Sequence, residues 1–265
     1  MKKLLLVKCV VLLAVLVLSP VVSAIPLWNV NFNDDTVGTA PAIAAATAGI
    51  VNTKPTYLLP STATILVQNS FTGGSASLSD KPVVFDGPGW FKMQFGGAPL
   101  DGELNADYCM EFDLLVPSAT LSGTSGIFTA LIRSPSANIA NITLQTTDMR
   151  AVLISNQAGA GSLETQMETY NNVWQTDKVM HVGLQLNTAI DKVQAYIDGV
   201  KIGEILIAPT ATSGYRNVRT LSIEAGGSGD DPFAVDNIVG SGTLIPEPAT
   251  MMLLLAGFIG LRKRH

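Results

Sequence analysis

Hydrophobic positions in the central part of the chain alternate with polar ones over short runs, which is the period of a β-strand with one buried face. Glycine, proline, asparagine and aspartate separate these runs, and no long run has the period of an amphipathic helix. The pattern predicts strands over residues 63–68, 83–85, 90–95, 108–116, 126–133, 139–145, 151–155, 179–186, 192–197, 201–207, 220–224 and 233–239. Many short strands of this kind favour an all-β sandwich.

The clearest local prediction is a meander between Val179 and Ile202. Apolar residues alternate with polar or small ones over 181–186, which indicates a strand with one buried face. A turn around 187–191 leads to a second strand, and Asp198-Gly199 is typical of a two-residue type I′ turn into a third. A helical turn over Leu163–Tyr170 is an alternative for that segment, but it has too few apolar residues to change the fold class.

This meander resembles that of the laminin-G-like and concanavalin-like jelly rolls, in which a tryptophan precedes a histidine-bearing strand, a turn, and a strand that ends in Asp-Gly-Val. The matching residues are Trp174, His181, Tyr196, Ile197, Asp198, Gly199 and Val200. The segments 31–38 and 235–238 also resemble the first and last strands of such domains, which lie side by side. The resemblance implies a jelly-roll β-sandwich over residues 25–243.

The first 24 residues have the pattern of a secretory signal peptide: a basic start with three lysines, the apolar run Val10–Leu18, and small residues before Ala24. We predict cleavage after Ala24, with a retained membrane anchor as the alternative. Cleavage would remove Cys9 and leave Cys109, which cannot form an internal disulfide alone. The exported body would then depend on its core or on bound ions for stability.

The C-terminal residues have three ordered parts. Pro246-Glu247-Pro248 comes first, the uncharged apolar run 249–261 follows, and the chain then reads Arg262, Lys263, Arg264 and His265. A helix over the apolar run would be about 20 Å long, which crosses a bilayer only if the terminal basic side chains extend it. Those basic residues should stay in the cytoplasm. A plain C-terminal anchor is the alternative to a processed one.

Pro-Glu-Pro, a short apolar helix and an arginine-rich end resemble the PEP-CTERM sorting signal of Gram-negative envelope proteins, here over residues 244–265. The resemblance implies recognition by an exosortase, which cuts near Pro246, Glu247 and Pro248 and releases or re-anchors the body. It also implies transient attachment to the membrane through the apolar helix, and a final place in the envelope, on the outer surface or in the extracellular matrix.

Charge excludes one class of partner. Residues 25–245 contain ten Lys and Arg against twenty Asp and Glu, so the formal charge of this part is −10. An acidic surface gives no electrostatic basis for nucleic-acid binding.

The best catalytic candidate is Glu111-Phe112-Asp113, which puts two carboxylates on one face of a strand. Laminarinase-type glycoside hydrolases use a similar strand with a third carboxylate, Glu-x-Asp-x-x-Glu or one residue longer, and the retaining mechanism needs both partners. Here Leu114, Leu115, Val116 and Pro117 follow, so the second catalytic carboxylate is missing. We expect no enzymatic activity, and His181 without a recognisable nucleophile supports no catalytic triad.

The resemblance to jelly rolls also implies a structural calcium ion where the first and last strands meet. The matching oxygen donors are Asp34, Asp35 and Asp236. The alternative is that these aspartates occupy turns.

The leading functional prediction is a non-enzymatic exported envelope or matrix protein. A carbohydrate-binding module that acts on exopolysaccharide is the alternative, although the body has only three tryptophans, Trp28, Trp90 and Trp174, to form a sugar platform. A glycan hydrolase is the third functional hypothesis.

Overall fold

A computed structural model describes residues 25–30, 32–41, 65–87, 90–94, 108–121, 127–133, 138–156, 165–187, 190–207, 220–225 and 231–242. The predicted signal peptide with its cleavage site at Ala24 and the sorting segment 244–265 lie outside these residues. Within the described ranges, no helix is long and apolar enough to cross a membrane.

The described residues are almost entirely strands, with two single 3₁₀ turns at Ser118–Thr120 and Thr147–Met149. The strands are β1 (Ile25–Val30), β2 (Ile65–Val67), β3 (Phe71–Gly73), β4 (Ala76–Leu78), β5 (Val83–Phe85), β6 (Trp90–Gln94), β7 (Tyr108–Leu115), β8 (Phe128–Arg133), β9 (Asn138–Gln145), β10 (Arg150–Asn156), β11 (Thr165–Tyr170), β12 (Val179–Asn187), β13 (Lys192–Ile197), β14 (Val200–Leu206), β15 (Thr220–Ala225) and β16 (Phe233–Gly242).

Two antiparallel sheets form the sandwich. Sheet A has eight strands in the order β14-β13-β12-β7-β16-β5-β2, with β1 also paired to β16. Sheet B has six strands in the order β11-β10-β9-β8-β15-β6, and β3 and β4 form a separate hairpin. The first and last strands lie side by side, with Val30 opposite Ile238. The first strand is Ile25–Val30, however, and not the predicted segment 31–38, of which residues 32–38 form turns. The all-β jelly-roll prediction is confirmed.

The core lies between the two sheets because most strands whose side chains are described turn an apolar face inward. Phe128 of sheet B lies between two rings of sheet A, with ring centroids 5.3 Å from Phe112 and 5.4 Å from Phe233. All three rings have no exposed surface. Burial of rings of this size contributes about 2–3 kcal/mol each, so this cluster helps to hold the two sheets together.

The β3–β4 hairpin covers one end of the outer face of sheet A. A small apolar cluster forms under it from Leu78, Val84, Leu115 and Ala234. Next along the same face come the polar outward residues of β7 and β12, beginning with Asp113 and His181. The hairpin therefore marks the end of the polar surface on which the candidate site lies.

Besides the first strand, two elements differ from the sequence-based expectation. The β3–β4 hairpin was not predicted, because its two three-residue strands are too short to show alternation. The segment Thr165–Tyr170 is a strand and not the helical turn considered as an alternative. Its polar composition suits an edge strand that needs only the backbone ladder to β10, with Tyr170 opposite Ala151 and Thr165 opposite Asn156.

Candidate functional site

The outer face of sheet A carries a row of polar side chains from three adjacent strands. Asp113 of β7 lies opposite Asp236 of β16 on one side and opposite His181 of β12 on the other. Alternation on β7 explains the row, because Met110, Phe112 and Leu114 point into the core while Glu111 and Asp113 point out. The predicted shared face of Glu111 and Asp113 is thereby confirmed.

Both oxygens of the Asp113 carboxylate accept hydrogen bonds. Oδ1 lies 2.9 Å from His181 Nδ1, and Oδ2 accepts a bond of 2.8 Å from the Asn237 side-chain amide. Asn237 reaches this position because it has a φ of 49° at a β-bulge in β16. His181 thus has a hydrogen-bonding role, and Asp113 is held by its neighbours and is not a free base.

The row continues beyond His181 to the β13–β14 turn. The His181 backbone N–H donates to Asp198 Oδ1 at 2.9 Å, and the Asp198 N–H donates to the His181 carbonyl at 2.7 Å. The Lys178 ammonium donates to the other oxygen of Asp198. The hydrogen bonds from Lys178 and His181 lower the pKa of the Asp198 carboxyl. Asp198 and Gly199 have φ values of 53° and 75°, the positive values that a type I′ turn requires at both positions.

The next row has a gap between an acid and an aromatic ring. Gly183 lies between Glu111 of β7 and Tyr196 of β13. A Cβ at Gly183 would lie 3.5 Å from Tyr196 Cβ and 3.7 Å from Glu111 Cγ, so glycine leaves a shallow space there. The Tyr196 hydroxyl donates to Gln194 Oε1 at 3.1 Å. A ring, an amide and a carboxylate around a shallow space are groups that bind hydroxylated ligands.

Paired charges occupy the β14 side of the same face. Glu204 accepts bonds from the ammonium groups of Lys192 and Lys201 and from the Gln194 amide. These bonds lower the pKa of the Glu204 carboxyl to about 2. The Glu204 carboxylate thus pairs with two ammonium groups, which leaves one positive charge in excess, and these bonds hold β13 to β14.

Cys109 lies two residues before Glu111 on the outer side of β7. Burial first, and the Glu111 carboxylate next, raise the pKa of the Cys109 thiol to about 12. The thiol is therefore protonated at neutral pH and is a poor nucleophile.

Asp236 is the buried member of the first row, with 2% of its surface exposed. Burial raises the pKa of its carboxyl to about 6, and the neighbouring charges of Asp113 and Asp80 add to the rise. The backbone N–H of Asn237 donates to Asp236 Oδ1 at 2.8 Å and opposes that shift.

The three aspartates expected to bind calcium do not form a common cluster. Among the described residues, no group of three or more His, Cys, Asp or Glu side chains could hold a metal ion. Asp34 is exposed, whereas Asp35 and Asp236 are buried. The Lys81 ammonium donates to the carbonyl oxygens of Asn33 at 2.6 Å and Asp35 at 2.9 Å, so a cation of the protein itself lies on that loop. This arrangement does not support calcium binding by the three aspartates, and the calcium site stays a prediction.

On β7, apolar residues take the place of the further carboxylate in the laminarinase-type pattern. Leu114 is a core residue and Leu115 belongs to the apolar cluster under the β3–β4 hairpin, so β7 supplies no further outward carboxylate after Asp113. Asp113 is already bound by a histidine and an amide. The mechanism needs two carboxyl groups in separate acid/base and nucleophile roles.

Sequence reasoning found Glu111, Asp113 and His181 but missed three features of this region. The Gly183 gap and the Lys81 contacts depend on residues that are far apart in the chain. The bulge at Asn237 has a weak local signal, since asparagine tolerates a positive φ better than most residues.

Comparison with solved structures supports the fold. The receptor-binding domain of botulinum neurotoxin mosaic serotype C/D aligns with a TM-score of 0.53 and 11% identity, covering 83% of this chain and 48% of that chain. The serotype D binding domain aligns with a TM-score of 0.52 and 9% identity, covering 83% of this chain and 49% of that one. The serotype D ligand-binding domain in complex with N-acetylneuraminic acid aligns with a TM-score of 0.51 and 9% identity, covering 88% and 50%. The chain therefore spans about half the length of these proteins.

Comparison at the sequence level gives a different kind of match. No curated protein matches the chain. Residues 244–264 match the PEP-CTERM protein-sorting motif. The chain thus carries a jelly-roll β-sandwich followed by a PEP-CTERM motif, a sorting signal for exosortase processing that indicates export to the envelope or the outside of the cell.

Proposed function

We propose that this chain is a non-enzymatic protein of the cell envelope or extracellular matrix of a Gram-negative bacterium, exported through its N-terminal signal peptide and cut by an exosortase. The observation that carries the proposal is the sorting motif over residues 244–264. The order of the motif, Pro-Glu-Pro, then an apolar run and then a basic end, suits a temporary membrane anchor. The apolar run holds the chain in the inner membrane, and the basic end keeps the last residues in the cytoplasm.

The two prolines of the motif have a physical role in the proposed cut. Pro246 and Pro248 each fix φ and remove a backbone donor, which disfavours a helix around Glu247 and favours an extended segment. An extended segment is what a peptide-cleaving active site can accept.

The absence of enzymatic activity is part of the proposal. It is supported by the hydrogen bonds that occupy both oxygens of Asp113, and by the apolar residues Leu114 and Leu115 where a further carboxylate is needed.

Substitution of the motif tests the sorting proposal. We expect Glu247→Ala, or removal of residues 262–265, to leave uncut precursor in the inner membrane of a host that carries an exosortase. Glu168→Ala, which replaces an exposed acid on β11, is the matched control and should be processed normally. Normal processing of the two motif variants would contradict the proposal.

A carbohydrate-binding module is the second candidate function. It is favoured by the shallow space at Gly183 with Tyr196 and Glu111 beside it. The botulinum serotype D domain was solved with N-acetylneuraminic acid, but an anionic sugar is a poor match for a face that carries Glu111 and Asp113. We therefore propose a neutral polysaccharide. A glycan array with the mature protein tests this, and signals confined to anionic glycans would contradict it.

A further inference from the structure

A cleft of about 320 Å³ lies at the end of the first polar row, between the loop that precedes β12 and the turn that joins β13 to β14, and it shares Lys178 and Asp198 with that row. Its floor is formed by Trp174, Met180 and Ile197, which are all buried. The volume is at the lower end of the range for small-ligand sites. It suits a ligand of about one ring.

Both walls of the cleft are fixed by backbone hydrogen bonds. On the loop side, the N–H groups of Asn172 and Val173 donate to the carbonyls of Asp148 at 2.8 Å and Met149 at 3.1 Å. The Trp174 indole N–H is shared between two further carbonyls, those of Gln145 and Arg150, each at 3.1 Å. Because the walls are already fixed, little conformational entropy is lost when a ligand binds in the cleft.

The turn side of the cleft is held equally firmly. Asp198 exchanges hydrogen bonds with the backbone of His181 through its own N–H and its side chain. The next residue that lines the cleft, Val200, has 66% of its surface exposed. Half-buried Val173 and Ile202 line the cleft with it. An exposed apolar wall above a buried apolar floor is a surface that gains free energy when a ligand covers it.

Four polar side chains line the cleft around this apolar surface: Asn172, Gln175, Lys178 and Asp198. Lys178 and Asp198 form an ion pair, so the charges at the rim cancel. Within the described part of the chain, that pair uses one of the three Lys178 donors, and each carboxylate oxygen has room for a further donor. The two amides add both donors and acceptors.

The combination selects one class of ligand. A wholly apolar molecule would cover the polar rim without giving it hydrogen bonds, and the neutral Lys178–Asp198 pair offers a charged molecule no net attraction. A pyranose has an apolar C–H face for the floor and hydroxyl groups for the rim. We propose that this cleft, which is separate from the shallow space at Gly183, binds one neutral pyranose unit of a polysaccharide, a proposal that rests on the second candidate function above.

Ligand-observed saturation-transfer NMR tests the cleft, with mature protein isolated from an exosortase-bearing host. The probes are the methyl pyranosides of glucose, galactose, mannose and N-acetylglucosamine, with methyl glucuronide as the anionic comparison. We expect saturable, millimolar binding of at least one neutral probe and weaker binding of the glucuronide. The proposal would be overturned if no neutral probe bound at concentrations up to about 50 mM, which is about ten times the expected dissociation constant. Tighter binding of methyl glucuronide than of the neutral probes would also overturn it.

A pair of variants on the same strand locates the binding. Val200→Trp fills the cleft from an exposed position, whereas Leu206→Trp places the same ring at an exposed position of β14 outside the cleft. We expect Val200→Trp to weaken binding at least tenfold and Leu206→Trp to leave it unchanged. Equal binding by both variants would place the sugar elsewhere. Processing at the sorting motif is read separately by mass, so a failure of sugar binding and a failure of the sorting proposal are distinguishable.

Discussion

The hydroxyl of Tyr170, on the edge of sheet B, bonds to both backbone groups of Glu204, on the edge of sheet A. It donates to the Glu204 carbonyl and accepts from the Glu204 N–H, each at 3.1 Å. The ring lies over Gly203, where a Cβ would come within 2.1 Å of the tyrosine Cζ. Outward backbone groups of an edge strand otherwise invite another strand to pair, so this tyrosine joins the two sheets and blocks that pairing.

We expect Tyr170→Phe to lower the free energy of unfolding by about 1–2 kcal/mol, because it removes two hydrogen bonds and keeps the ring. Gly203→Ala should be more damaging, since the new methyl group meets the ring and not a flexible chain end. Urea unfolding followed by tryptophan fluorescence measures both. Stability unchanged in Tyr170→Phe would show that the contact does not hold the sheets together.

The buried Asp236 predicts an unusual dependence of stability on pH. Its pKa in the folded protein is about 6, above the ordinary value of 3.8. Between these values the folded state keeps a proton that the unfolded chain has released, so this group stabilises at acidic pH and its contribution is lost as pH rises to 6. Asp236→Asn keeps an acceptor for the Asn237 N–H and removes the charge.

We therefore expect Asp236→Asn to be more stable than the parent at pH 8, by about 1–3 kcal/mol, and about equal to it near pH 4. Asp86→Asn, which replaces an exposed aspartate, is the control and should change little at either pH. Thermal unfolding from pH 4 to pH 8 measures the difference. A variant that is less stable at pH 8 would mean that the charge of Asp236 is compensated, as a bound cation would do.

Lys81 gives a direct test of how the loop after β1 is held. Its ammonium bonds to the carbonyls of Asn33 and Asp35, and its backbone has a φ of 56°, which a lysine rarely adopts. We expect Lys81→Met to lower stability by about 1–3 kcal/mol and Lys81→Arg to lower it less, because arginine keeps the positive charge. Equal stability of Lys81→Met and the parent in urea unfolding would refute this role.

The contacts of Lys81 with the carbonyls of Asn33 and Asp35 also affect the prediction of a calcium site. With the Lys81 ammonium on these carbonyls, we expect millimolar chelator to leave the melting temperature of the protein unchanged. A clear fall on chelation that excess calcium reverses would restore the calcium site implied by the jelly-roll resemblance.

The non-enzymatic proposal predicts no release of reducing sugar from β-glucans by the mature protein. Glu111→Gln should therefore behave like the parent in the same assay, because β7 offers no second free carboxylate for the retaining mechanism. Turnover by the parent that Glu111→Gln abolishes would show that the protein is a glycoside hydrolase.

The fold was largely predictable because most strands have one buried face. Alternation over 181–186 placed β12, and Asp198-Gly199 placed the turn to β14. The edge strand β11 was not predicted. Its residues 166–169 are all exposed, so the strand shows no alternation of apolar and polar residues in the sequence. Most of the predicted strands were placed to within a few residues, whereas β1 and the edge strand β11 were missed, because their pairing depends on neighbours that the sequence does not identify.

The candidate sites were predictable only where they follow strand period. Glu111 and Asp113 share a face because they are two residues apart. The partners of Asp113 lie 68 and 124 residues away, and their approach depends on which strands become neighbours in sheet A. The cleft beside Val200 also depends on tertiary contacts, because its loop wall is fixed by bonds to the 3₁₀ turn at Thr147–Met149.

Intact-mass spectrometry of the mature protein from an exosortase-bearing host tests the central proposal most directly. The account predicts a chain that begins at Ile25 and ends near Pro246-Glu247-Pro248, without the apolar run and the basic end. A product that retains His265 and stays in the inner membrane would contradict it.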